Sequence, residues 1–320
     1  MSSSYPPYVD DIGHGLQVPE VPAACEGATL MSFFVDADHN AMQATVDKFL
    51  NQPNGGAVSY YVLGSSAILT YSYTKRHYSI PQQIGYLSDY ECAFWIPLFA
   101  RTRDGSRPDR ITFWIPYLFI SWPEGMATGR EIWGFRKEVG QITMPSSPAD
   151  ARLFTTVGTI FDPLSNDTKG RSETIVTVRK TGQPGRLAET IKDIAELAKL
   201  LVKFWGKGAS ELPVSRLGLA VDVVKTILTR KVPIVNLKQF RDANDSTKAC
   251  YQALIEATCT ITKLHGGGLL DGDYVLDVAN FASHQIINDL GLSGSTVPVD
   301  FALWLQMDFT ADAGQEVWKA

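Results

Sequence analysis

The sequence predicts an α+β fold organised around one large, curved, mainly antiparallel sheet. Three observations carry this. Runs of β-branched and aromatic residues recur along most of the 320 residues. The helical patterns fall between those runs irregularly, which argues against a doubly wound sheet. Residues 85–101 and 110–122, both strongly apolar, are separated by the polar, turn-forming stretch 102–109, as in a long hairpin with strands buried on both faces.

Residues 1–20 are mostly polar, with Pro6-Pro7 and several glycines, and read as a flexible arm or a strap over another subunit. Residues 21–320 read as a single domain. Within it, 38–50 carries Asp38 as a cap ahead of the apolar stripe Ala41, Val46 and Phe49, predicting a helix. Residues 57–63 and 67–73 are β-rich and flank Gly64-Ser65-Ser66, predicting a hairpin. After the long hairpin, Ser121 and Glu124 have capping-box spacing and Pro123 suits a first helical turn, so a short helix is expected, ended by Gly134. Residues 135–139 then alternate like a strand. Further strands are expected near 138–144, 151–161 and 173–179. Residues 187–204 and 214–228 show helical spacing and predict a helical insertion at about 187–230. Strands resume at 232–240 and 249–264, followed by a tight turn at Gly266-Gly267-Gly268, a helix within 277–290 and alternation over 297–309.

Composition narrows the function classes. Apolar content of 45% and charged content of 20% are ordinary for a globular protein. A net charge of −5 with no lysine- or arginine-rich run gives nucleic acid no footprint. The longest apolar stretch, 111–122, contains Pro116 and falls well short of the roughly 20 residues of a spanning helix, so no membrane partner is expected. Cys25, Cys92, Cys250 and Cys259 form no CxxC, and reduced thiols in a cytoplasmic protein are the expectation. None of the five histidines pairs with another at metal-binding spacing, there is no glycine-rich phosphate loop, and there is no GxSxG elbow. His284 can be read as a site residue or as an ordinary, partly buried histidine.

Two residues stand out. Glu91 is a carboxylate set into the apolar strand Asp89-Tyr90-Glu91-Cys92-Ala93-Phe94-Trp95, where burial demands a partner. A structural ion pair and acid–base work both satisfy that demand. Strand alternation puts Glu91 on one face with Ala93 and Trp95. Lys137 follows a helix-to-strand turn crowded with Trp122, Trp133 and Phe135. Two readings are open: a solvated strand lysine beside Glu138, or an amine held against apolar surface. An ordinary lysine is under roughly 0.1% neutral at pH 7 and a poor nucleophile. Desolvation or a nearby cation depresses its pKa, and a drop of about three units raises the neutral fraction about a thousandfold. Phe135 and Val139, on the lysine's own strand face, would supply the apolar setting.

Gly129-Arg130-Glu131, Trp133-Gly134-Phe135 and Lys137 together resemble the signature of the acetoacetate decarboxylase family, in which a Gly-Arg-Glu helix leads through an aromatic residue into a Schiff-base lysine. Glu91, followed six residues later by Pro97, is similar to the family's active-site glutamate and downstream proline. Weaker likenesses run through 38–50, 111–121, 253–263 and 282–287. The resemblance implies a cone-like β-barrel with flanking helices, Lys137 and Glu91 as catalytic residues, and Arg130, Phe135 and Trp133 as substrate-binding residues. It implies no cofactor, no metal and a homo-oligomer. The chain departs from the family where a second lysine and a preceding proline are replaced by Glu138 and Arg136, where the second family carboxylate aligns near Tyr71, and where the decarboxylases' early arginine has no match around Ala28. Activation by a neighbouring cation is therefore not implied intact, and burial is left to lower the pKa. The resemblance implies a Schiff-base lyase that decarboxylates a small β-keto acid. The alternatives are an aldolase-dehydratase acting on a 2-oxo acid such as pyruvate, and a non-catalytic binding protein of the same fold.

Overall fold

The computed structural model describes residues 5–9, 12–15, 18–182, 195–196 and 229–320. The helical pair expected within 187–228 lies almost wholly outside them. In chain order the elements are β1 (Ala23–Asp36), α1 (His39–Val46), β2 (Val58–Val62), β3 (Ser66–Ser79), β4 (Leu87–Thr102), β5 (Arg110–Ile120), α2 (Pro123–Thr128), β6 (Lys137–Thr143), β7 (Leu153–Ile160), β8 (Arg171–Lys180), β9 (Lys231–Arg241), β10 (Ala249–Leu269), β11 (Tyr274–Val278), α3 (Ile286–Leu290), β12 (Thr296–Pro298), β13 (Phe301–Ala311) and β14 (Gln315–Lys319). The α+β expectation and the dominance of one sheet agree with this.

The strands form one sheet that closes on itself as a ring, not as a regular barrel. The ring runs β5-β9-β10-β13-β1-β3-β4 and is shut by pairing of β4 with β5. Its ladders are antiparallel except where β5 meets β9. β6 joins the outside of this circuit in parallel with β5 and starts a branch, β6-β7-β8-β11-β12. Alternation sorts the side chains. On β4, Cys92, Phe94 and Ile96 enter the main core, which also takes residues of α1, α3, β7, β8 and β11. Glu91, Ala93 and Trp95 face the other way, into the lumen of the ring. In the main core Phe33 meets Phe154 edge-on at 4.9 Å between ring centroids, a contact that contributes about 0.5–1.5 kcal/mol beyond its area burial.

Four expectations need correction. Residues 57–73 do not form a hairpin: β2 and β3 run the same way along one edge of β4, β2 beside its second half and β3 beside its first. Gly64, at φ +75, makes the kink between two collinear strands because the 16-residue β4 is long enough to template both. Gly266-Gly267-Gly268 is not a turn either; it lies within β10 against Gln306, Leu305 and Trp304 of β13. The helix expected in 277–290 is confined to Ile286–Leu290, because Asp277 and Val278 already belong to β11. Ser121 forms no capping box. Its Oγ accepts the Tyr90 N–H of β4 at 3.0 Å, and Trp122 occupies the N-cap without a side-chain bond. Strands β1 and β14 were not anticipated from the sequence.

Other expectations hold. Asp38 Oδ1 accepts the Ala41 N–H at 2.8 Å and caps α1. The long hairpin is β4–β5, and Pro123 opens α2. Among the described residues no helix is long and apolar enough to cross a membrane.

Candidate active site

Lys137 owes its position to the turn before it. α2 continues into one π-helical turn, Gly129–Trp133, that ends at Gly134 in the left-handed region, φ +76. A Cβ on Gly134 would stand 2.6 Å from Lys238 Cα, so glycine lets the turn close onto β9. The Phe135 N–H returns to Gly129 O at 3.1 Å, and Lys137 then opens β6 opposite Leu118 of β5. Its side chain runs along Gly129, where a Cβ would lie 2.7 Å from both Cδ and Cε. Gly129 is the groove through which the lysine reaches the lumen.

The lumen holds a cavity of about 200 Å³ lined from all seven ring strands and from the Trp133–Lys137 segment. Lys137, only 6% exposed, donates from Nζ to Glu91 Oε1 at 2.7 Å, and the Phe135 ring centroid lies 5.6 Å from the same nitrogen. Burial is the largest single influence on this ammonium and pulls its pKa down. The charge of Glu91, its hydrogen bond and the charge of Asp89 together outweigh burial, and the net direction is upward from 10.5. This reverses the expectation that an apolar setting alone governs the amine. Val139 contributes nothing to that setting, being exposed on β6.

The other expected residues divide. Phe135 and Trp133 line the cavity, and Trp133 Nε1 is tied to Asp312 O at 2.9 Å. Arg130 is absent from the lining; its exposed guanidinium donates to Lys137 O at 3.2 Å and braces the lysine's backbone. Glu138 and Arg136 lie outside the cavity too. Glu138 meets His284 Nε2 at 3.1 Å, and Arg136 stacks over Phe49 at 4.1 Å from its centroid. His284 is fully enclosed, bonded also to Ser283 and stacked on Phe119. Tyr71 is buried in the main core, where its hydroxyl accepts from Thr156 at 3.0 Å.

Sequence reasoning missed two lining residues. Asp89 is buried two positions before Glu91 on the same face of β4, and His77 Nδ1 donates to its Oδ2 at 3.1 Å. The alternation Asp89–Glu91 was a readable signal. His77 gave none, because its approach depends on a bulge between Thr74 and His77 in the β3–β4 ladder. Cys25 and Cys259 also line the cavity, but burial, joined by nearby carboxylates, pushes Cys259 up to about 12 and raises Cys25 well above its usual value. Both are held as thiols. Among the described residues no cluster of three or more metal-ligating side chains occurs.

The crystal structure of acetoacetate decarboxylase from Legionella pneumophila superposes with a TM-score of 0.60 at 14% identity, over 99% of this chain and 93% of that one. The fold is that of acetoacetate decarboxylase. An acetoacetate decarboxylase-like enzyme from Sphingomonas wittichii matches at 0.57 and 10% identity over 96% and 98% of the two chains. The enduracididine biosynthesis enzyme MppR, in complex with the condensation product of pyruvate and imidazole 4-carboxaldehyde, matches at 0.54 and 10% over 99% of each. No protein-family model and no curated protein matches the sequence. Identities this low carry the acetoacetate decarboxylase-like fold and not an activity.

Proposed function

We propose that this protein is a Schiff-base-forming carbon–carbon lyase that decarboxylates a β-keto acid through an iminium on Lys137. The observation that carries the reading is the pairing of buried Lys137 with half-buried Glu91, 2.7 Å apart, in the wall of an otherwise largely apolar cavity. The pair rests as ammonium and carboxylate. Transfer of one proton to Glu91 frees the amine without releasing charge to solvent. The amine attacks the substrate ketone, Glu91 returns the proton to the departing oxygen, and ammonium plus ketone become iminium plus water. The bond from the α-carbon to the carboxylate then breaks. Its electron pair flows into the C=N⁺ unit, giving carbon dioxide and a neutral enamine. Protonation at carbon and hydrolysis release the ketone and the lysine, with one proton consumed overall. His77, held by Asp89 on the same lumen, supplies a second acid–base group for the carbon protonation.

The lining supports carboxylate loss in particular. Among the described residues no arginine reaches the cavity, and two carboxylates do. A substrate carboxylate there has no arginine to hold it and lies near Asp89 and Glu91, an environment that disfavours the charged ground state relative to the neutral product.

A second reading, aldolase-dehydratase chemistry on a 2-oxo acid such as pyruvate, uses the same iminium. It is favoured by the likeness to MppR and by Glu138, which stands where the decarboxylases carry a second lysine and is turned to His284.

Both are tested by incubating the protein with acetoacetate or pyruvate, adding borohydride, and mapping the mass increment to the peptide that carries Lys137. Absence of an adduct with any small ketone, or an adduct that persists in Lys137→Ala, removes both readings and leaves a binding protein. Carbon dioxide release then separates the first from the second, whose signature is a longer or dehydrated product formed with an added aldehyde.

A further inference from the structure

The cavity is larger and more apolar than a four-carbon keto acid requires, and its polarity is arranged along one axis. Asp89, Glu91, Ala93 and Trp95 follow one another on the lumen face of β4. The charged groups therefore lie toward one end of the strand and the indole toward the other. From Glu91 to Trp95 the strand advances about 13 Å. The cross-strand partners repeat the gradient. Thr74 and Ser72 stand opposite Asp89 and Glu91, and Ile68 stands opposite Trp95. Ile115, Ile234 and Ile261 complete the apolar wall. At about 200 Å³ the space exceeds the roughly 150 Å³ that accommodates a benzene molecule in a protein interior.

Trp95 closes the apolar end; it lines the cavity and is packed edge-on against Phe113, with centroids 6.1 Å apart.

We propose that the substrate is a β-keto acid carrying an apolar ring or chain, its ketone at Lys137 and its apolar body toward Trp95. The keto-acid end meets Lys137, Glu91 and the His77–Asp89 pair. The apolar body fills the isoleucine-lined wall. Selectivity for size arises from burial of the body. The inference rests on imine formation at Lys137, and its test keeps the two apart.

Borohydride trapping is measured with acetone and 4-phenylbutan-2-one, each titrated to its half-saturating concentration. Each buried methylene is worth about a fourfold gain, so the phenyl ketone is expected to half-saturate at least fiftyfold below acetone. Calorimetric binding of the same two ketones to Lys137→Met ranks them without the covalent step. An adduct on Lys137 with equal half-saturation for acetone and the phenyl ketone overturns this inference and leaves the Schiff-base reading standing. Absence of any adduct, with the phenyl ketone still bound more tightly than acetone by Lys137→Met, removes the lyase and keeps the apolar ligand preference. Equal binding in both experiments ends the inference outright.

Discussion

Lys137 Nζ lies 2.7 Å from Glu91 Oε1 although their strands, β6 and β4, are separated by β5. The parallel β5–β6 ladder sets Lys137 level with Leu118, and the antiparallel β4–β5 ladder sets Leu118 level with Ala93, next to Glu91 on the lumen face. Two registers thus decide whether the amine and the carboxylate meet. A slip of one residue in either would turn one of them out of the lumen.

The pair sets the first prediction. Because the folded Lys137 pKa is raised, the stability contributed by the pair is present in full below the ordinary lysine value of 10.5 and is lost as pH rises through the higher folded value. Imine trapping on the native protein is therefore expected to climb with pH without levelling below 10.5. Glu91→Gln removes the strongest upward influence and leaves burial less opposed, so the inflection moves to lower pH. In the proposed mechanism the same change removes the proton acceptor, and turnover at saturating substrate is expected to fall by about 10²–10⁴-fold. An inflection unmoved by Glu91→Gln, in a trapping rate measured from pH 6 to 11, would contradict the assignment of the raised pKa to Glu91.

Asp89→Asn is expected to move that inflection the same way by a smaller amount. Asp89 raises Lys137 through charge alone, whereas Glu91 acts through charge and a hydrogen bond. The two titrations, recorded side by side, check the order of the shifts. A larger displacement in Asp89→Asn than in Glu91→Gln would assign the dominant carboxylate wrongly.

Gly129→Ala tests the groove. The new methyl would sit 2.7 Å from Lys137 Cδ and Cε and 3.3 Å from Nζ, and the flexible lysine arm yields before the helix does. Trapping on Lys137 should drop by about 10²-fold, the scale associated with a misplacement of 1 Å, while the thermal midpoint shifts little. The adduct yield by mass spectrometry and the midpoint by calorimetry read the two effects separately.

Gly134→Ala should instead cost stability. It combines a left-handed φ of +76 with a Cβ placed 2.6 Å from the Lys238 backbone, which cannot move aside as a side chain can. Gly55, at φ +60 with open space around it, supplies the control. Chemical denaturation is expected to show a loss of about 1–2 kcal/mol for Gly55→Ala from backbone strain alone, and about 1–3 kcal/mol more for Gly134→Ala from overpacking. Equal losses would mean that the approach to β9 carries no energetic weight.

Local chemistry made several features readable. Asp38 announces α1, Pro123 and Gly134 bracket the helical turn before the lysine, and the polar stretch between 101 and 110 joins β4 to β5. Each signal depends on residues within a few positions of one another. The face shared by Glu91, Ala93 and Trp95 was readable for the same reason, since strand alternation has a fixed period. Readings failed where a distant partner competed for a group. Ser121 binds the Tyr90 amide on β4 instead of capping its own helix. Gly64-Ser65-Ser66 kinks because β4 templates both flanking strands, and Gly266-Gly267-Gly268 stays extended beside β13.

The sequence by itself determined the β-rich α+β class, the turn that presents Lys137 and the pairing of residue types suited to imine chemistry. The tertiary structure alone decided that the ring closes through β4 and β5, that Glu91 is the partner of Lys137, that Asp89 and His77 join them, and that Arg130 stays outside. The reason is electrostatic as well as geometric. A lysine's pKa depends on the balance between its desolvation and the charges within a few ångströms. Those charges are delivered by strands far apart in the chain, so periodicity along one segment carries no record of them.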